Sequence, residues 1–249
     1  MSVLLERHWI RIGTGALVVC GLVMGVVLFA RSPLNANHNA KMALPPNYPS
    51  MAPLDQYLME RNAEIALART AAPEAISREA KILVLGPHGY ENAVDGTNGF
   101  VCAVERGWMN PFDHAEFWNP KLRGPICFNP AAARSVWPLT VKRTELVLAG
   151  LSKVQIKDNV KVALERKELP ALEPGAMSYM LSKNAYLTDR DDHNMAHLMI
   201  YVPLTNGASW GADLKGSPVL FAGQFQGDPE PITVFLIPVG KWSDGTEAR

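Results

Sequence analysis

The amino-acid sequence predicts an α+β fold, one mainly antiparallel sheet with helices grouped on it, preceded by an N-terminal transmembrane or signal helix. Three observations predict it. β-Branched and aliphatic runs bounded by turn residues lie near residues 81–105 and again beyond residue 177, while caps and helical periodicities cluster between residues 129 and 168. Strands at both ends with helices between them fit α+β better than a regular βαβ alternation. An unbroken apolar run from Ile12 to Ala30 stands ahead of both.

That run can cross a bilayer, because a helix rising about 1.5 Å per residue needs roughly 17–25 apolar residues to do so. Arg7 and Arg11 precede it and Arg31 follows. Positive charge held on the cytoplasmic side would place everything after Arg31 outside. An uncleaved anchor is favoured over a cleaved signal peptide, whose small-residue pattern before Ala30 or Ala36 is spoiled by Leu28 or Leu34. Cys20 follows Val19 inside the run and reads as an apolar packing residue, not a lipid-attachment site. Residues 32–53 carry Pro33, Pro45, Pro46, Pro49 and Pro53 among Asn and Ala, the composition of an extended linker. The expected organisation is therefore a membrane anchor or signal segment at 1–31, a linker at 32–53 and a single extracytoplasmic domain at 54–249. The domain would sit in the periplasm, tethered to the inner membrane through residues 12–30 or released there by cleavage. A formal net charge of +0, with Lys and Arg scattered among acids, excludes the basic face of a nucleic-acid binder.

Pro53 suits a first helical position, and Leu54, Tyr57, Leu58, Arg61 and Ile65 continue at helical spacing, so one amphipathic helix is expected to end before Pro73. Lys81 to Leu85 reads as a strand. Tyr90 to Val94 and Phe100 to Glu105 flank the turn-rich Asp95 to Gly99 and predict a hairpin. Asn129 and Pro130 cap a helix over 131–136, which Pro138 ends or kinks. A second helix follows, carrying Leu139, Leu146, Val147 and Leu151, with Gly150 as its stop. Ser152 and Gln155 have capping-box spacing for a third, which buries Ile156, Val160, Ala163 and Leu164. Met177 to Leu181, His197 to Leu204 and Ile232 to Val239 read as strands, with Val219 to Phe221 as a fourth.

Two stretches, GYENAVDGTNGFVCAVERGW at 89–108 and RGPICFNPAAARSVWP at 123–138, resemble a group of exported bacterial proteins. The resemblance implies an exported bacterial origin, and it supplies neither catalytic residues nor a cofactor.

The chemical motifs are few. Gly207-Ala208-Ser209-Trp210-Gly211 matches the pattern of a nucleophile elbow, yet Gly216, Ser217 and Pro218 preclude the helix an elbow requires, and the last histidine, His197, precedes the serine. Asp189, Asp191 and His193 match positions 1, 3 and 5 of a calcium loop, but Asn194 and Ile200 replace its Gly and its bidentate Glu. His193, Met195, His197, Met199 and Tyr201 alternate with Asn194, Ala196, Leu198, Ile200 and Val202, so on a strand they share one face. Imidazoles and thioethers there would suit copper, and His193 and His197 with Asp191 or Asp192 would suit zinc. Alternatively the strand begins near His197, with Met199 in the core and His193 in a solvated loop. His88 and the Asp113-His114-Ala115-Glu116 run offer further side chains. In the oxidising compartment that export implies, either Cys102 and Cys127 form a disulfide, closing a loop worth about 3 kcal/mol, or Cys102 is a buried apolar residue and Cys127 a free thiol. The aromatic segment from Trp108 to Trp118 either closes one end of the core or covers a pocket or partner surface. The leading expectation is a non-enzymatic binding or structural module for a protein partner or small apolar ligand. The alternative is a metal-dependent or hydrolytic enzyme using the His193 and His197 region.

Overall fold

A computed structural model describes residues 48–189, 194–225 and 227–248. The expected anchor and most of the linker lie outside the described residues, among which no helix is long and apolar enough to cross a membrane. The strands are β1 (Lys81–Gly86), β2 (Gly89–Val94), β3 (Val101–Glu105), β4 (Gly124–Phe128), β5 (Met177–Met180), β6 (His197–Pro203), β7 (Leu220–Phe221) and β8 (Ile232–Pro238). They hydrogen-bond as one sheet in the order β2-β1-β3-β4-β5-β6-β8-β7. Only β1 and β3 are parallel among the described pairs.

The helices are α1 (Arg61–Arg69), α2 (Glu74–Ser77), α3 (Pro130–Ser135), α4 (Trp137–Leu148) and α5 (Lys153–Glu165). Alternation along the strands divides the sheet into two apolar faces. One face presents Ile82, Cys102, Val104 and Cys127 to Ala68 of α1. The other presents Leu83, Ala103, Ile126, Phe128 and Tyr201 to Ala132 of α3 and Trp137 of α4. Beside them, Ile156 and Val160 of α5 and Val147 of α4 pack on Trp108, Phe112, Phe117 and Trp118. The capping box of Ser152 and Gln155 starts α5, whose buried face carries Ile156, Val160 and Ala163. Gly150, at φ +77°, takes the left-handed turn that ends α4.

The helix expected from Pro53 is broken. A single 3₁₀ turn spans Leu54–Gln56, and α1 begins only after Glu60, whose carboxylate accepts from the Ala63 N–H at 2.8 Å. Tyr57 is fully buried between them, donating its hydroxyl to the Trp118 carbonyl at 2.8 Å, and seating that ring outweighs continuing the helical spacing. Upstream of it, Tyr48 bonds Asp189, and Met51 and Ala52 pack on the aromatic cluster, so the end of the proline-rich stretch belongs to the folded unit.

The expected hairpin is also rearranged. β2 turns back on β1 through Pro87 and His88, and β3 crosses to the far edge of β1. The crossing passes so close beneath the start of β1 that a Cβ on Gly96 would lie 2.1 Å from the Lys81 nitrogen. β1 is buried from Ile82 to Gly86, and an interior strand of that kind needs a neighbour on each edge. β4 was not expected as a strand, because Gly124 and Pro125 open it. Cys102 and Cys127 face each other with their Cα atoms 4.0 Å apart and are joined by a disulfide. That is the close kind of antiparallel pair, and Val104 opposite Pro125 repeats it, so the missing Pro125 N–H points away from β3. β5 pairs with β4 only at Cys127 and Phe128, so it loses no bond there either.

β1 and β3 are paired only at Lys81/Val101 and Ile82/Cys102, which leaves later backbone groups to be satisfied otherwise. The Leu85 N–H donates to Glu64 Oε1 at 3.1 Å, and the Val104 carbonyl accepts from the Tyr90 hydroxyl and from Arg106 Nη1. Arg106 also donates through Nε to the Tyr57 carbonyl and through Nη2 to both Glu64 oxygens at 2.9 Å. Both side chains are essentially fully buried. Removing one partner strands the other charge without solvent, so Arg106→Met is expected to cost about 3–5 kcal/mol in urea unfolding. A loss below about 1 kcal/mol would show that the pair does not hold α1 to the sheet.

Candidate functional site

A partly open cavity of about 320 Å³ lies on the α4 face of the sheet. Alternate residues of β6 and β8 form its floor. Met199 pairs with Leu236 and Tyr201 with Val234 across those strands, and all four line the cavity with His197 and Ile232. Phe128 and Met180 extend the floor through β4 and β5. Leu139, Thr140 and Arg143 of α4, Met109 and Asn110, and Phe225, Asp228 and Glu230 supply the walls. A mainly apolar hollow with a few convergent polar groups is the usual form of a small-ligand site.

Its most distinctive polar group is Glu105, at the end of β3. The side chain lines the cavity, and its Oε1 accepts from Thr140 Oγ1 at 3.0 Å. Burial pushes its carboxyl up to about 7, against the lowering effects of the Thr140 hydrogen bond and the Arg143 charge. Gly124 stands opposite Glu105 across the β3–β4 pair, so no side chain covers it from that position.

Arg143 joins two carboxylates at the opposite wall. Nε and Nη2 grip Glu230 at 2.6 and 2.8 Å, Nη2 also reaches Asp228 at 2.8 Å, and Nη1 donates to the Asn110 carbonyl at 3.1 Å. Its guanidinium carbon lies 4.3 Å from the Phe112 ring centroid. Asp228 receives the Phe112 N–H at 3.3 Å, and burial raises its carboxyl above the ordinary aspartate value. The network therefore ties the segment carrying Asp228 and Glu230 to α4 and to the aromatic segment.

His197 contributes the remaining titratable group. Its Nδ1 lies 2.6 Å from the Met195 carbonyl, and a carbonyl only accepts, so Nδ1 carries the proton and Nε2 the lone pair. Burial lowers its pKa and favours this neutral form. Tyr201 shares a hydrogen bond of 2.8 Å with Ser178, and burial raises its phenol pKa.

Of the residues that sequence reasoning assigned to a metal, His197 lines the cavity and Met195 precedes β6, offering its carbonyl to that histidine. His193 and Asp191 lie outside the described residues, as does Asp192. The shared face of the alternating run is carried by His197, Met199 and Tyr201. No group of three His, Cys, Asp or Glu side chains able to hold a metal is present among the described residues. Asp189 is bound by Tyr48, Tyr186 and Lys121, and Glu116 by Asn119, Thr188 and the Asp189 N–H. His88 is exposed in the β1–β2 turn. Ser209 sits in a 3₁₀ turn capped by Asn206 and bonds Asn206 and Thr205, with none of the geometry of an elbow. Trp108, Phe112, Phe117 and Trp118 are all buried and close the core, while Met109 and Asn110 beside them reach the cavity. Sequence reasoning missed Glu105 and Arg143. A charge at the end of an apolar strand and an arginine on the inner face of a helix were the available signals.

The raised carboxyl of Glu105 has a definite sign. Its folded pKa of about 7 lies above the ordinary 4.5, so the folded state holds the proton more tightly. That stabilisation is complete below about pH 4.5 and is lost as pH rises through about 7. Arg143 from α4 keeps its charge throughout, and the Tyr201 and Tyr90 phenols stay neutral in that window. Glu105→Gln should therefore gain thermal stability relative to the unsubstituted protein between pH 5 and pH 8; a difference in Tm that is flat with pH would refute the assignment. Comparison with family models, with curated proteins and with solved structures finds no match to this chain, so functional inference starts from this cavity.

Proposed function

We propose that this chain is a membrane-anchored or exported bacterial binding module that holds a small, largely apolar ligand between its sheet and α4. The cavity itself carries the reading. Its volume of about 320 Å³ is near the lower end of the range for small-molecule sites, and its floor is built mainly from Phe, Tyr, Met, Val, Leu and Ile side chains. The apolar run at residues 12–30 and the proline-rich stretch after it support a tethered domain in the periplasm. The Cys102–Cys127 disulfide supports the same oxidising compartment. Arg143 offsets only one of the two carboxylates it holds, which leaves the wall mildly acidic and suits shape recognition more than steering of a highly charged substrate.

The metal-dependent or hydrolytic reading keeps one supporting observation, the placement of His197 and Glu105 on a single cavity. Near-stoichiometric zinc or copper in chelator-free protein, lost when His193 and His197 are both replaced, would favour it.

Met199 is half-buried on the cavity floor, so Met199→Trp adds bulk there. Ligand-observed NMR with cyclohexanol, toluene and indole should detect binding to the unsubstituted protein, weakened at least about tenfold by Met199→Trp. A thermal melt within a few degrees of the parent would show that the variant still folds. Failure of every probe, or binding indifferent to the filled cavity, would overturn the proposal.

A further inference from the structure

We propose that the ligand is an amine, a compact apolar body ending in an ammonium head that Glu105 receives. This inference rests on the binding-module reading and adds the chemistry of the head group. It follows from which polar atoms on the cavity wall are already used.

Arg143 on the cavity wall and Arg106, whose guanidinium turns to Glu64 of α1, are both committed. Arg143 gives its Nε and Nη2 to Glu230 and Asp228 and its Nη1 to the Asn110 and Trp108 carbonyls. Arg106 gives its donors to Glu64 and to the Tyr57 and Val104 carbonyls. No lysine lines the cavity among the described residues. A carboxylate or phosphate head would therefore enter a wall holding three acids and, among the described residues, no uncommitted cation.

The acceptors divide differently. Both Glu230 oxygens are bonded to Arg143, and the two Asp228 oxygens are taken by Arg143 and the Phe112 N–H. Glu105 Oε1 is held by Thr140, while Oε2 has no hydrogen-bond donor among the described residues. His197, with its proton on Nδ1, adds a second lone pair at Nε2. Asn110 contributes a neutral amide that serves either sense. A ligand must then bring donors, and a cationic donor gains most from an ionised carboxylate in a poorly solvated site. Glu105 charges with little competition from its neighbours once an ammonium is beside it. The burial that raises its pKa is the same burial that strengthens the ion pair.

The test uses three probes with one apolar body, cyclohexylmethylamine, cyclohexylmethanol and cyclohexanecarboxylate, titrated at pH 8 by calorimetry into the unsubstituted protein, Glu105→Gln and Met199→Trp. Expected is an amine affinity about ten- to a hundredfold above that of the alcohol, with the carboxylate weakest. In Glu105→Gln the amine and alcohol should bind within about threefold of each other. If the alcohol or carboxylate binds best, or Glu105→Gln keeps the amine preference, the head-group assignment is wrong while the cavity remains a binding site. If no probe binds, or Met199→Trp binds all three unchanged, the binding-module reading falls with it.

Discussion

The buried Arg106–Glu64 ion pair is the interaction on which the rest of the structure depends. β1 and β3 hydrogen-bond at only two residue pairs before they separate, and separation inside a protein leaves N–H and C=O groups that water cannot reach. Glu64 takes the Leu85 N–H, Arg106 and Tyr90 take the Val104 carbonyl, and the two charges then meet. Burying two charges costs heavily unless every donor and lone pair is used. Here the guanidinium serves a carboxylate and two carbonyls, so the pair completes a backbone account that the sheet leaves open. It also fixes α1, because Glu64 sits in the first turn of that helix.

Placing Arg106 on the α1 side decides where Glu105 goes. Successive residues at the end of a strand point to opposite faces, so an acid and a base adjacent in sequence are sent to different layers of the fold. Arg106 is neutralised by a helix on one face, and Glu105 emerges on the other beneath α4. Arg143 repeats the device with the cation, not the acid, on the helix. It is a buried cation held by two acids from a distant segment, and it brings Asp228 and Glu230 against the helix so that their segment walls the cavity.

Much of the architecture was legible in sequence, and the elements that were not share a physical cause. α5 was readable because its capping box and apolar spacing are local, and β6 because its alternation is local. The break after Tyr57 was not, since it depends on a hydroxyl bonding Trp118, which lies 61 residues away. β4 was hidden by Gly124 and Pro125, whose tolerance rests on the register with β3 and the shortness of β5. The crossing of β3 to the far edge of β1 was signalled by the unbroken apolar run of β1, yet the turn-rich loop suggested a simpler hairpin. The candidate site was least legible. Glu105 meets Thr140 across 35 residues, and Arg143 meets Asp228 across 85, distances over which no local pattern carries information. The alternating His197, Met199 and Tyr201 face was the exception, for it is local and became the cavity floor.

The accessibility of Glu105 is itself a consequence of register. In an antiparallel pair, the residue directly opposite contributes a side chain on the same face, and that neighbour ordinarily covers its partner. Opposite Glu105 stands Gly124. A Cβ there would lie 3.8 Å from the Glu105 Cβ and 3.4 Å from Leu187, close enough to begin filling the space beside the acid. The same pairing puts the disulfide three residues before Glu105 on β3 and three after Gly124 on β4, where it holds the register that brings glycine and acid together. Glycine in a strand interior sacrifices packing, and it is found where something must come close. Here the missing side chain opens room next to a carboxylate that the surrounding apolar walls would otherwise bury. The geometry distinguishes Glu105 from Glu64, which is sealed by its arginine, and leaves Glu105 as the acid able to meet a molecule from outside.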